Sequence, residues 1–131
     1  MGPVRLLLDT HALLWWLFDD PSLSASARDA IADPDREVLV SSASAWEIAT
    51  KHRLGRLPEA GDAAERLPHY LRRAGFTVLA VSLDHALAAG ALPGPHKDPF
   101  DRMLIAQARL ENAQVASTDA VFRHYGVPVI W

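Results

Sequence analysis

Short apolar runs alternate with helical patterns along the whole chain, and that alternation limits the fold more than any other feature. "VRLLL" (4–8) is a compact apolar run with Arg5 as its one polar interruption, and "HALLWWLFDD" (11–20) then reads as a helix ending before Pro21. Ser24 can cap a short helix that stops before Pro34, and "EVLVSS" (37–42) is the second strand. "SASAWEIATKHRLGRL" is a helix with Ser42 or Ser44 near its start and Gly55 past its end. "AGDAAERLPHYLRRAG" is helical, with a break expected near Pro68 and a stop at Gly75. "FTVLAVS" is a third strand and "LDHALAAGAL" the helix after it. A turn-rich loop, "PGPHKDP", leads into a helix from Pro99 to Leu110. "AQVAST", "DAVFRHYG" and "VPVIW" close the chain as strand, short helix and strand. Strands alternating with helices predict an α/β fold, a mainly parallel sheet covered on both faces.

The chain has 131 residues, enough for one compact domain over 1–131, and half of them are hydrophobic. The net charge of −3 provides no broad basic surface for nucleic acid, so any such binding needs a local patch or metal ions over acidic groups. Cysteine is absent, which excludes disulfides and thiolate zinc sites and fits a reducing compartment such as the cytoplasm. The apolar amino terminus is interrupted by Asp9 and His11 and lacks a small-residue cleavage site, so it is not read as a signal peptide. No apolar stretch is long enough to span a bilayer, so a membrane location is not expected.

In open parallel sheets, ligands bind beyond the carboxyl ends of the strands. The residues expected there are acidic or hydroxylic. The first strand ends in Asp9 and Thr10. The second ends in Ser41 and Ser42, with Glu47 on the helix behind it. The fourth ends in Ser117, Thr118 and Asp119. The helix beginning at Pro99 must start on the same rim, because its far end leads into the fourth strand. That places Asp98 and Asp101 there too. No lysine or arginine occupies those strand-end positions.

Each acid has an ordinary structural explanation. Asp98 is a good N-cap ahead of Pro99, and capping is its main expected role. Asp9 and Asp119 can cap the helices that follow them. Glu47 can pair with Lys51 one turn on. Asp101 is harder to explain by capping, because Leu104, Ile105 and Ala108 share its face; Arg102, Ala106 and Arg109 are expected on the wetter face. Magnitudes favour a further role for the set as a whole. A cap contributes ~1 kcal/mol. Two carboxylates ~4 Å apart repel by ~4 kcal/mol at an effective dielectric of about 20. Gathered carboxylates must take up protons or hold a cation. All-oxygen donors suit Mg²⁺ or Mn²⁺, and no HExxH spacing argues for zinc. Such a site can activate a water and brace a phosphodiester for in-line displacement, with Thr10, Ser117 and Thr118 orienting carboxylates or water.

"LLLDTHALLWW", "SSASAWEIATK", "LPGPHKDPFDRMLIAQA" and "ASTDAVFRHYGVPVIW", taken in series, resemble a PIN-domain ribonuclease of the VapC type, the toxin of bacterial toxin–antitoxin pairs. The resemblance runs from the first strand to the last residue. It implies a three-layer α/β/α sandwich and Mg²⁺- or Mn²⁺-dependent endonucleolytic cleavage of RNA. It implies that Asp9, Glu47, Asp101 and Asp119 form the acidic metal-binding and catalytic set, with Asp98 as an outer-shell or alternative ligand. It also implies an antitoxin protein as partner, and a homodimer. Two features bear on partners. "WWLF", Trp15 to Phe18, exceeds the apolar surface one helix usually buries, and about half of it is expected to be core and the rest a dimer or antitoxin surface. Cations cluster at Lys51, His52, Arg53 and Arg56, at Arg72 and Arg73, and at His96 and Lys97. Of these, Lys51 and Arg53 are the candidate RNA-phosphate contacts.

Three other readings compete. An aspartyl-nucleophile phosphatase needs a second Asp two residues after the first, where His11 stands. A receiver-like signalling module wants a strand-end lysine, which the sequence does not supply. A non-catalytic protein whose acidic rim binds a basic partner shares every motif above.

Overall fold

The computed structural model describes residues 4–131. Thirteen regular elements follow in the order β1 (Val4–Leu8), α1 (Thr10–Leu17), α2 (Ala25–Ala32), β2 (Arg36–Ser41), α3 (Ser42–Arg53), a 3₁₀ turn at Pro58–Ala60, α4 (Ala63–Ala74), β3 (Thr77–Leu79), α5 (Leu83–Ala91), α6 (Pro99–Leu110), β4 (Gln114–Ala116), α7 (Val121–His124) and β5 (Val129–Ile130). The strands form one all-parallel sheet in the order β3-β2-β1-β4-β5. The chain therefore builds outward from β1 to β3, then returns to the other side of β1 for β4. The switch point, where such sheets open a crevice, lies between β1 and β4.

The strand period of two divides the core into two layers. Leu6 and Leu8 of β1, with Val38 and Val40 of β2, face α1 to α4. Leu7 and Leu39 face the other way, onto Leu104, Ile105, Ala108 and Phe122 of α6 and α7. All four leucines or valines at the centre of that arrangement, Leu6, Leu7, Leu8 and Leu39, are fully buried. Both faces of a parallel sheet are thus covered, and the architecture is the expected α/β/α sandwich.

Several local readings change. The α4 helix runs unbroken through Pro68, which sits on its exposed side. The ring removes one backbone donor, but packing of Ala63, Leu67 and Leu71 holds the helix together. The α3 helix begins at Ser42, and Ser41 just before it is the cap, its hydroxyl accepting from the Ala43 amide at 3.0 Å. Trp15, Trp16 and Leu17 are half-buried against the first core layer, and Phe18 is exposed and edge-on to Tyr70, so "WWLF" is part core and part surface.

The α5 helix departs from simple alternation. His85 near its start approaches Glu111 beyond the end of α6, while its last carbonyls reach Arg102 at the start of α6. The two helices are therefore an antiparallel pair. Arg102 donates to the carbonyls of Ala89, Gly90, Leu92 and His96, which satisfies acceptors that a helix end leaves open. Ala106 is buried in the same contact. The face of α6 assigned to solvent from sequence is in fact half covered by α5, and only Arg109 of the three remains exposed.

Candidate active site at the carboxyl rim

The β1–β4 register sets Leu8 beside Ala116, so the residues after each strand emerge abreast. The Asp9 amide donates to the Ala116 carbonyl at 3.2 Å, extending the ladder by one step into the crevice. The Asp9 side chain caps α1 by accepting from the Ala12 amide at 2.7 Å. Burial raises its pKa above the ordinary carboxylate value, hydrogen bonds from Ser117 and Ala12 oppose the rise, and the charge of Asp101 adds to it. Capping and proximity to other acids are both present in one residue.

Asp98 caps α6, accepting from the Phe100 and Asp101 amides at 2.9 and 3.0 Å. Asp101, one turn inside, points to the rim and lies 3.0 Å from Nε2 of His96. Its pKa is raised, first by burial and then by Asp98 and Asp119, while His96 pulls it down. Asp119 is exposed, and its carboxylate accepts from the Val121 amide at 3.0 Å. Its own amide donates to Ser117 Oγ at 2.9 Å, which fixes the turn after β4. Thr118 beside it is exposed and makes no side-chain hydrogen bond among the described residues.

Glu47 is buried and engaged on both oxygens. Thr10 Oγ1 donates to Oε1 at 2.5 Å, and the Lys51 ammonium sits on Oε2. Ser44 Oγ lies 3.2 Å from Thr10 Oγ1 in the same cluster, and with the Thr10 proton given to Glu47 the Ser44 hydroxyl is the donor between them. The i, i+4 pair foreseen as an alternative role for Glu47 is therefore formed. Burial pulls the Lys51 pKa down, but Glu47, Asp98 and Asp101 together hold it above its ordinary value. A lysine thus reaches the rim from within α3, although none occupies a strand end. Arg53 does not share that position: six residues beyond Glu47, it is roughly 9 Å further along the helix axis and on another side.

The structure thus puts Asp101 within electrostatic range of Asp9, Asp98 and Asp119, with Glu47 joined to the set through Lys51. Among the described residues, no three acidic or imidazole side chains stand close enough to enclose a metal ion as they are. The donor chemistry nonetheless suits a hard divalent cation. All donors are oxygens, burial and repulsion push two carboxylates toward protonation, and a side-chain cation has been drawn onto the set. His96 was read from sequence only as part of a cationic cluster. Its bond to Asp101 runs from the loop before α6 into the helix's first turn and carries no periodic signal.

The family profile of the PIN domain matches residues 6–128, nearly the whole chain. The chain belongs to the PIN domain family. Ribonuclease VapC22 of Mycobacterium tuberculosis is 29% identical over 126 residues, covering 94% of this chain and 93% of that protein. Ribonuclease VapC16 of the same organism is 42% identical over 73 residues, a match that spans 53% of this chain and 50% of that relative's length. Among solved structures, VapBC2 from Rickettsia felis bound to a DNA fragment from its promoter superposes with a TM-score of 0.68 at 14% identity, over 96% of this chain and 97% of that one. FitAcB from Neisseria gonorrhoeae gives 0.65 at 20% identity, over 95% of each. These two likenesses are of fold.

Proposed function

We propose that this chain is a divalent-metal-dependent endoribonuclease and the toxin of a cytoplasmic toxin–antitoxin pair. The observation that carries the reading is the pair Asp9 and Asp101. One follows strand β1 and the other lies in the first turn of helix α6, each is within the other's electrostatic range beside the switch point, and burial raises the pKa of both. The names of the two mycobacterial relatives support RNA as substrate, and the complexes among the fold relatives support an antitoxin partner.

Asp9, Glu47, Asp101 and Asp119 would hold Mg²⁺ or Mn²⁺, with Asp98 behind Asp101. When bound, the ion supplies positive charge beside the scissile phosphate and lowers the pKa of water. The chain's own groups supply position. The Ala12 amide and Ser117 fix Asp9, and His96 fixes Asp101. Thr10 holds one oxygen of Glu47. Lys51, on a flexible stem, is placed to exchange Glu47 for a substrate phosphate. Arg53 is set aside as a direct phosphate contact by its position on the helix.

A second reading draws on the pairing of Glu47 and the lack of a closed three-ligand cluster among the described residues: an acidic pocket that only binds a basic partner. Incubating the chain with structured RNA and Mg²⁺ or Mn²⁺ separates the two. Cleavage that vanishes with chelator and in Asp101→Asn supports the nuclease. A folded chain that cuts none of several RNAs with either metal supports the binding module. Cleavage surviving in Asp101→Asn but not in chelator reassigns the ligand to Asp98.

A further inference from the structure

Beside the acidic rim runs a groove of ≈ 580 Å³ between α3, α5 and α6, whose lining includes Trp46, Lys97, Pro99, Arg102 and Met103. Trp46 leaves 61% of its surface exposed, a large apolar area for a core-forming residue type to leave in water. Its aromatic neighbour is Phe100, at 4.7 Å between centroids and 67° between planes. The two rings are tied to the rim by sequence. Trp46 immediately precedes Glu47, and Phe100 stands between Asp98 and Asp101. They are also tied to it in space: the Lys51 ammonium that holds Glu47 lies 5.8 Å from the Phe100 centroid.

Charge in the groove has one sign. Lys97 and Arg102 are its charged lining residues, and no carboxylate lines it. Arg102 is committed to helix-end carbonyls, but Lys97 is exposed and forms no ion pair among the described residues. An exposed indole, a second ring edge-on to it and an exposed ammonium form the combination that binds an unpaired nucleotide. The base stacks on the ring, and the cation takes the phosphate.

We propose that Trp46, backed by Phe100, is a stacking platform for one unpaired RNA base next to the cleavage site, and that Lys97 holds that nucleotide's phosphate. The proposal rests on the nuclease reading. It narrows the substrate to RNA that is single-stranded at this subsite, because a base inside a helix has no free face to offer Trp46. It predicts tolerance of base identity there, since every base carries a π-face. Trp46 and Lys97 are binding residues and take no part in the chemistry.

The test uses the full chain and a short phosphorothioate-linked RNA that resists cleavage, carrying a fluorophore, either single-stranded or annealed to its complement. Anisotropy is read with and without Mn²⁺, and cleavage kinetics are measured separately on the ordinary strand. The expected result is tighter binding of the single strand, with about ten-fold or greater weakening in Trp46→Ala and most of the loss restored in Trp46→Phe. Lys97→Gln should weaken binding and flatten its salt dependence by about one phosphate's worth. In cleavage, Trp46→Ala should raise KM with kcat nearly unchanged. Equal binding by wild type and Trp46→Ala overturns the platform, as does no preference for the single strand. If Trp46→Ala instead changes the sedimentation of the chain while RNA affinity holds, the groove is a protein interface and the proposal fails. Trp46-dependent binding without cleavage would leave the platform standing and remove the nuclease. Cleavage with unchanged KM in Trp46→Ala would do the reverse.

Discussion

At the amino end of the sheet, Arg5 on β1 lies directly across from Glu37 on β2 and reaches it at 3.2 Å, while its other branch binds Glu111 at 2.9 Å. His85 closes the same cluster, with Nε2 at 2.9 Å from Glu111 and Nδ1 facing the Ser82 amide at 3.0 Å and the Ala80 carbonyl at 3.2 Å. The hydrogen bonds from His85 and Arg5 lower the Glu111 pKa. At the carboxyl end the carboxylates meet one another, and burial raises Asp9 and Asp101. Both ends gather carboxylates around the central strands and α6. One end matches each acid with a donor or cation and gains stability from it. The other gathers acids with too few cations and gives up stability to do so. Glu111, matched with donors, is pulled down, whereas Asp9 and Asp101, buried beside other acids, are pushed up, which is the pattern expected of a site that awaits a cation.

That contrast breaks most visibly under mutation. Asp9→Asn or Asp101→Asn should lower RNA cleavage by more than the roughly 10–100-fold typical of an outer-shell metal partner. The same changes should leave the melting temperature level or raise it, because each removes a repelling charge. Calorimetry and a cleavage assay on the same samples would check both halves. Glu111→Gln should do the opposite: activity stays, and stability falls by about 1–2 kcal/mol, less than a fully buried network would lose because the site is partly wet.

The pH dependence of stability sharpens the comparison further. A group whose folded pKa is depressed stabilises the fold above its unfolded value and loses that contribution as pH falls through the folded value. Glu111 is such a group. Unfolding free energies measured from neutral pH downward should therefore fall below the ordinary glutamate range in wild type. That part of the slope should be absent in Glu111→Gln. His96→Ala is a smaller perturbation of the rim. It frees Asp101 and should reduce cleavage roughly ten-fold with little change in stability. The smallest expected effect is at the other end. Ser82→Ala removes the hydroxyl that accepts from the His85 amide at 3.1 Å and should cost about 1 kcal/mol.

Elements with strong local grammar were legible from sequence. Val4–Leu8 and Pro99–Leu110 fall within their expected bounds, because an apolar run bounded by Asp9 and an Asp98–Pro99 start leave little choice. The third and fourth strands are shorter than the apolar runs that announce them, since parallel pairing ends where the neighbouring strand does. The antiparallel seating of α5 was not legible. Ala106 and Arg102 read as polar-face residues until a second helix covers them. The convergence of acids on the rim follows from topology and could be anticipated. The Arg5–Glu111 contact, 106 residues apart, and the His96–Asp101 contact through a loop have no local pattern. Whether Glu47 would pair with Lys51 was open in the sequence, and packing around Thr10 decides it.

The most direct test of the contrast is Mn²⁺ binding followed by electron paramagnetic resonance, on wild type, Asp9→Asn, Asp101→Asn and Glu111→Gln. The account predicts saturable binding in wild type and Glu111→Gln and its loss in both rim variants. Equal binding in all four proteins, or none in a folded wild type, would contradict it.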